Sequence, residues 1–592
     1  MFRIFGNRYV GSFLFKQRTI NPITNINYIP QRTYVKVYSS SLGGGRPFDE
    51  IHLKKFLNKT KEKEVALNNL PNGLGNNDLK KVLMDNGIVY KKLRKEYGTP
   101  SANLKFNSRE ELEKMVVKLA ELCINGNYVV VSPISIRKIR FTQPPTDKRI
   151  EDVITPLWNI DYQVQLKMKE DAINEILRGI SRILVKKWQQ PDIKSQTPQW
   201  IRELEEQSLQ LPENQGKEED QIIYTQCCAL KDSYGSPITV GYRNKIEFTI
   251  GHDVNGEIIV GFVMGKFREG ITAIGDPQGA VNSPVNPLML KVKEIVQNYV
   301  RNSELPIYDK VTHEGFWSGL AVRTTSHNEI SVSFLINKHR DISDIILKEE
   351  ERKLIELFTS HSKEYSSFSL FWKENHAPNE LFYGKKFVTE YLNVPNKMVF
   401  EIQPGSFFQT NTQATELLYK LITSLCMEVN DLSIIYDLCC GTGTIGLSVA
   451  SSLLNKQSKP VSVIGIELIK EAIEDANRNA KLNKIENTKY FAADVRNFFE
   501  VAGISRHAHL SDTAVAILDP PRAGVCKHLL QTLRDSNIKR IIYISCEPKI
   551  LIEASFWLCG TSYKPTSAYF VDMFPHTDKM ESIVVYDRIE KN

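Results

Sequence analysis

The stretch IIYDLCCGTGTIGLSVA, residues 434 to 450, constrains the fold more than any other part of the chain. An apolar strand, a turn carrying Gly441, Gly443 and Gly446, and an apolar helix start follow one another directly. Glycines let the backbone turn tightly and approach a ligand, and a helix amino terminus presents N–H groups with no intrahelical partner. From about residue 406 helix-like and strand-like runs alternate to the end of the chain. That rhythm predicts an α/β fold, a doubly wound parallel sheet of Rossmann-like type with helices on both faces. The second strand, VSVIGIEL, ends in Glu467, 21 residues after Gly446, where a carboxylate can accept hydrogen bonds from two ribose hydroxyls. A third strand leads to Ala493 and Asp494, where a side chain can meet an adenine edge. NAD satisfies this pattern as well as S-adenosylmethionine does, and later strands must decide between them.

The fourth strand, AVAILDPPRAGV, ends in Asp519-Pro520-Pro521-Arg522. A rigid Pro-Pro turn fixes the acidic group at the carboxyl edge of the sheet, where doubly wound folds bind ligands. The fifth, IIYISCEPKIL, brings Cys546 to the same edge, and Pro548 blocks the strand from continuing. Inside a strand a cysteine is a small core hydrophobe, but at the end of one it can meet a ligand. Near the carboxyl terminus, in FVDMFPHTDKMESIVVY, Glu581 opens a strand that can return beside the sheet. A thiol, a carboxylate and a methyl-donor site together point to a defined chemistry. Carbon 5 of uracil is too weak a nucleophile to take a methyl group directly, whereas thiolate addition at carbon 6 makes an enolate that can. A carboxylate in a closed pocket, its pKa raised, suits the later removal of the carbon 5 proton.

At 592 residues the chain needs several domains, and 42% apolar with 24% charged residues is a globular composition. The net charge of +7 lies entirely in residues 1–48, which hold seven Lys or Arg and no acid. The remainder is balanced at 69 of each sign, so any RNA contact must come from a local patch. The acid-free start reads as a mitochondrial targeting segment, or otherwise as a disordered basic tail of a cytosolic or nuclear protein. No uncharged run is long enough to span a membrane. The nine cysteines fit a reducing compartment and lack metal-ligand spacing, so no metal is expected.

Residues 60–140 show a β-α-β-β-α-β order that resembles an RNA recognition motif. The positions where that fold places stacking aromatics read Ala66, Ser101 and Asn103, with Phe106 as the core aromatic. The cluster Lys91, Lys92, Arg94 and Lys95 reads either as a phosphate contact or as a solvated face. Residues 187–222, rich in Gln, Glu, Lys and Pro, read as a linker. Residues 223–395 read as a β-rich central RNA-binding region, and 396–592 as the methyltransferase domain. In the central strand YRNKIEFTIG, Tyr242, Arg243 and Lys245 offer an aromatic and two cations to single-stranded RNA, or else form an amphipathic strand with a wet face.

Taken in order, GSFFQTNTQATELLY, DLCCGTGTIGL, IGIEL, ILDPPRAG, ISCEPKIL and DMFPHTDKMES resemble the tRNA (uracil-5-)-methyltransferase family, in its eukaryotic branch with an added amino-terminal RNA-recognition-like domain. The resemblance runs from about Tyr242 to the carboxyl terminus and implies a class I S-adenosylmethionine-dependent enzyme that makes 5-methyluridine, with the T-loop uridine of tRNA as its partner. It implies Cys546 as nucleophile and Glu581 as base. Gln409 would touch donor or uracil, Glu467 the donor ribose and Asp494 the adenine region, with Asp519 where donor and uracil meet. Gly441 belongs to the same donor loop. Cys439 and Thr444 replace the Tyr and Asn that relatives often carry, so donor contacts there fall to the backbone. The iron–sulfur cysteines of related ribosomal-RNA enzymes are missing, which favours tRNA. Three rivals are amino-group methylation, which expects an aromatic where Arg522 stands, cytosine carbon 5 methylation, and an RNA-folding protein without catalysis.

Overall fold

The computed structural model describes residues 63–590, apart from short internal stretches of which 134–147 and 502–512 are the longest. The basic stretch 1–48 lies outside the described residues. The chain forms two compact units, Met1–Arg140 and Phe141–Asn592.

In the first unit a four-stranded sheet is ordered Lys92–Arg94, Ala102–Lys105, Glu64–Asn68, Val130–Pro133, with helices Asn76–Asp85 and Arg109–Ala120 between its strands. Val65, Leu67, Leu104 and Phe106 alternate into one face and meet Leu79, Leu83, Val116 and Leu119 of the helices. A period of two in the strands against 3.6 in the helices places one apolar stripe on each. Ala66 and Asn103 pair across the ladder on the opposite face.

The second unit holds two large sheets. Seven strands form the central one, in the order Ile274–Gly275, Ile258–Val263, Lys245–His252, Trp317–Thr324, Glu329–Ile336, Ser367–Glu374, Glu380–Tyr383. Its core is aromatic: Trp317 stands edge-on to Phe316 and Phe334, and Trp372 stacks on Phe382.

The catalytic sheet has eight strands: β1 (Ala229–Tyr234), β2 (Ile434–Leu438), β3 (Ser462–Glu467), β4 (Thr488–Ala492), β5 (Ala514–Leu518), β6 (Arg540–Ser545), β7 (Tyr563–Val571) and β8 (Glu581–Arg588), in the order β4-β3-β2-β5-β6-β8-β7-β1. The run from β4 through β6 is parallel, and β8 returns antiparallel to β6. All five residues of β5 are buried, the uniformly apolar pattern of a strand covered on both faces. Strand order reverses at β2, so the carboxyl ends of β2 and β5 flank the crevice that such sheets offer to ligands. Helices α3 (Thr412–Met427), α4 (Thr444–Leu453) and α5 (Lys470–Leu482) cover this half of the sheet. Asn411 caps α3 by accepting from the Ala414 amide.

The segment 187–222, expected as a linker, is folded instead. Helix α1 (Tyr162–Trp188) packs on α6 (Ile550–Leu558), and α2 (Gln199–Leu209) buries Ile201 and Leu204. Trp200 donates its indole N–H to the Gly560 carbonyl at 3.0 Å. The apolar face of α2 is short, with Ile201 packed beside Val185, Trp188 and Tyr224 and Trp200 reaching the distant Gly560, and inside a Gln-, Glu- and Pro-rich stretch it gave little sign of itself. The catalytic domain also begins earlier than 396, because β1 closes the sheet edge beside β7 before the chain enters the central sheet.

Candidate active site

The donor loop follows from the backbone of 439–443. Cys439 holds a left-handed φ of 67°, and its amide and that of Cys440 both donate to the Ile466 carbonyl, at 2.9 and 3.0 Å. This folds the end of β2 onto the end of β3. Gly441, also left-handed at φ 54°, donates its amide to Glu467 Oε2 at 3.2 Å, and a Cβ added to it would meet nothing within 4 Å. Open space above a glycine, beside a carboxylate at the end of the next strand, fits a ribose-bearing ligand laid across the loop. Gly446 serves the opposite need: a Cβ there would come within 2.9 Å of Asp437 Oδ2, the oxygen that accepts the Gly446 amide.

Three acids converge at the sheet's carboxyl edge. Asp437, fully buried at the end of β2, has Oδ1 without a hydrogen-bond partner among the described residues, and burial pushes its pKa up to about 7. Asp519, after β5, accepts from Gln409 Nε2 at 3.3 Å, and desolvation raises it to about 7 as well. Glu581, first residue of β8 and 4% exposed, has Oε2 unpartnered among the described residues. Burial first and Asp519 second drive its pKa well above the carboxylate range. Cys546 lies half-buried at the end of β6, next to β8. Desolvation raises the thiol's pKa, Glu581 and Asp519 add to the rise, and Arg522 opposes it. Asp437, Cys546 and Glu581 each feel the charge of Asp519, as a single compact site requires.

Other expected residues fall differently. Thr444 turns its hydroxyl to Tyr419, at 2.7 Å in the core, rather than to the donor crevice. Cys439 sits in the loop through its backbone, with its thiol pushed up to about 12 by burial. Asp494 follows β4 as expected, but its carboxylate is held by Arg496, at 2.9 Å from the amide and 2.8 Å from Nε. Tyr242 corrects the reading of an RNA-stacking aromatic: it is 6% exposed, precedes the strand, and donates its hydroxyl to the Pro575 carbonyl at 3.2 Å. Arg243 and Lys245 line a separate cleft beside the 406–410 segment.

The loop between β7 and β8, which delivers Glu581, is clamped from α1. Lys169 Nζ lies 2.7 Å from Asp572 Oδ1 with both side chains buried, and Tyr162 donates to Asp572 Oδ2 at 2.9 Å. Gln165 Oε1 accepts the His576 amide at 2.9 Å, and His576 has a left-handed φ of 61°. Neither this clamp nor Asp437 figured in the sequence reading. An acid inside the apolar run IIYDL was a usable sign for Asp437, whereas nothing local couples residues 165–169 to 572–576.

The family model described as tRNA (Uracil-5-)-methyltransferase matches residues 232–589. The chain belongs to that family. Human tRNA (uracil-5-)-methyltransferase homolog A is 29% identical over 562 residues, covering 89% of this chain and 83% of its own length. Homolog B of Danio rerio is 29% identical over 481 residues, covering 76% and 89%. Among solved structures, the Pyrococcus abyssi tRNA (uracil-54, C5)-methyltransferase with S-adenosyl-L-homocysteine superposes with a TM-score of 0.49 at 19% identity, over 78% of this chain and 91% of that one. Membership of the tRNA (uracil-5-)-methyltransferase family makes this an S-adenosylmethionine-dependent enzyme acting on tRNA uracil, and it decides between the two cofactors that the glycine loop alone left open.

Proposed function

We propose that the chain methylates carbon 5 of the T-loop uridine of tRNA through a covalent adduct with Cys546. The observation that carries this is the pairing of a half-buried thiol at the end of β6 with a buried carboxyl, one oxygen unpartnered among the described residues, at the start of the adjacent β8. When bound, S-adenosylmethionine supplies an electrophilic methyl group. Gly441, Glu467, Asp494, Asp519 and the Cys439–Cys440 backbone would hold it.

The Cys546 thiolate adds to carbon 6 of uracil, forming a C–S bond and leaving the electron pair as an enolate over carbon 5. Arg522 is the cationic neighbour that favours the thiolate. Gln409, already turned to Asp519, can hold the flipped base. Once carbon 5 carries the methyl group, Glu581 takes the proton from that carbon and the C–S bond breaks, returning the thiolate. A carboxylate whose protonated form is favoured by burial is a stronger base than an exposed one, which this step needs. A loop uridine also costs less to unstack than a paired one.

The test is transfer of labelled methyl to an unmodified tRNA transcript, followed by nucleoside analysis. Wild type should give 5-methyluridine, Cys546→Ala none, and a T-loop uridine-to-cytidine transcript none. Label on another nucleoside, or label that survives loss of Cys546, would sink the reading.

Two smaller readings accompany it. The strand order and helix placement of the first unit support an RNA-recognition-type domain, so deleting residues 1–140 should weaken tRNA binding. Residues 1–48, acid-free and arginine-bearing, are read as a mitochondrial address. A reporter fused to them that stayed in cytosol or nucleus would reject it.

A further inference from the structure

A cleft of about 630 Å³ lies between the central sheet and the 406–410 segment. Its charged lining is Arg243, Lys245 and Arg323 against the single carboxylate Glu247. Lys245 and Arg323 are direct cross-strand partners in the antiparallel ladder, and Glu247 stands two residues along the same face. Like charges directly opposite one another destabilise a sheet.

Arg323 makes the arrangement more costly. It is 3% exposed, and its Nη2 donates to the Ser406 carbonyl at 2.9 Å. Its Nε and Nη1 have no hydrogen-bond partner among the described residues, and neither do Arg243 Nε and Thr410 Oγ1. Glu390 is the acid whose field reaches Arg323, but that carboxylate is engaged by the Ser326 amide at 3.0 Å and the Ser326 hydroxyl at 2.5 Å. Lys245 finds Glu247 at 3.7 Å, with Glu247 mostly in solvent. A buried guanidinium with unmet donors, facing a second cation, is a poor structural device and a good anion receptor.

Position identifies the anion. Thr410 and Phe408 line the cleft, and Gln409 between them reaches Asp519 in the catalytic crevice. Asn244 locks this wall, donating to the Gln409 carbonyl and to Thr412 Oγ1, each at 2.9 Å. One strand of backbone therefore separates the cleft from the uracil site. Phe407, 64% exposed, stands at the cleft as an aromatic face beside the cations. We propose that Arg323, Lys245 and Arg243 form a receptor for a backbone phosphate of the RNA next to the target nucleotide, holding the strand while the base enters the catalytic crevice. This rests on the uridine reading above for the identity of the RNA.

The test is equilibrium binding of the full chain to an unmodified tRNA transcript over a range of salt. Lys245→Gln should weaken binding roughly five- to tenfold at 0.1 M salt and lower the slope of log affinity against log salt by about one. Glu247→Gln, a change at an exposed site, should act the other way and tighten binding. Arg323→Met should exceed Lys245→Gln, and the other two variants decide the matter should Arg323→Met fail to fold. If Lys245→Gln and Glu247→Gln both bind within twofold of wild type with an unchanged slope, the receptor is rejected. If inorganic phosphate at fixed ionic strength raises the melting temperature of wild type but not of Lys245→Gln, while tRNA binding is the same for both, the cleft takes a free anion and the RNA assignment is overturned. Methyl transfer separates the two readings. Cleft-dependent binding without methylation rejects the uridine reading alone, and methylation by wild type with variants that bind like it rejects the receptor alone.

Discussion

Asp572 and Glu581 stand at the two ends of one loop, both almost fully buried, and their surroundings are opposite. Asp572 receives the Lys169 ammonium, the Tyr162 hydroxyl and the Phe574 amide. Glu581 leaves an oxygen without any partner among the described residues, and burial raises its affinity for a proton. The satisfied carboxylate is scaffold, because every donor around it is a reason for the loop to stay where it is. The unsatisfied one is held in reserve for something the chain does not itself contain.

The sharpest break of that comparison is Glu581→Gln. Methyl transfer should fall on the order of 10²–10⁴-fold, the usual worth of a general base, while thermal stability holds or rises. The covalent RNA adduct should accumulate, visible as a slow band on a denaturing gel. A variant that melts much earlier than wild type would mean that Glu581 is scaffold too.

Lys169→Met strikes the other end. Stranding Asp572 without its cation should cost about 3–5 kcal/mol in chemical denaturation, and adding Asp572→Asn should recover part of that loss. An equal loss in single and double variants would show that the pair is not the source.

A pH experiment sharpens the contrast among the acids. Asp437 and Asp519 have folded pKa values raised to about 7 from an ordinary 3.8. The folded chain therefore keeps protons that the unfolded chain releases. Their contribution to stability is complete below about pH 4 and is lost as the pH rises through 7. Asp437→Asn should flatten this decline, and an unchanged pH profile of unfolding would count against a neutral buried acid there. The smallest effect belongs to Tyr419→Phe. Removing its hydroxyl from Thr444 should cost roughly 1 kcal/mol and leave donor affinity as it was, since that contact faces the core.

Much of the site was legible because strand ends announce themselves. Pro520 after Asp519 and Pro548 after Cys546 mark where each strand leaves the sheet, and the glycine loop marks its centre. From those marks the alternation gave β2 through β6 and β8, without β7, and a shared edge for the thiol and the acids. Long-range partners left no mark. Lys169 and Asp572 are separated by 403 positions, and the Trp200–Gly560 hydrogen bond that ties α2 to the far end of the chain spans 360. Tyr242 was misread against a local sign: it falls in step with buried Asn244, Ile246 and Phe248, on the face opposite to the one that Arg243, Lys245 and Glu247 share.

The edge strand β1 has a consequence for anyone who would cut the chain. It pairs with β7 from a position before the whole central sheet, so the central sheet is an excursion out of the catalytic one. A fragment starting at residue 396 would lose β1 together with α1 and α2, and it would present β7 as a bare strand edge of nine residues, open to pairing with another copy. Expression trials of the isolated carboxyl-terminal half should therefore yield aggregates, and a soluble catalytic piece should begin near residue 148, ahead of the Lys169 clamp.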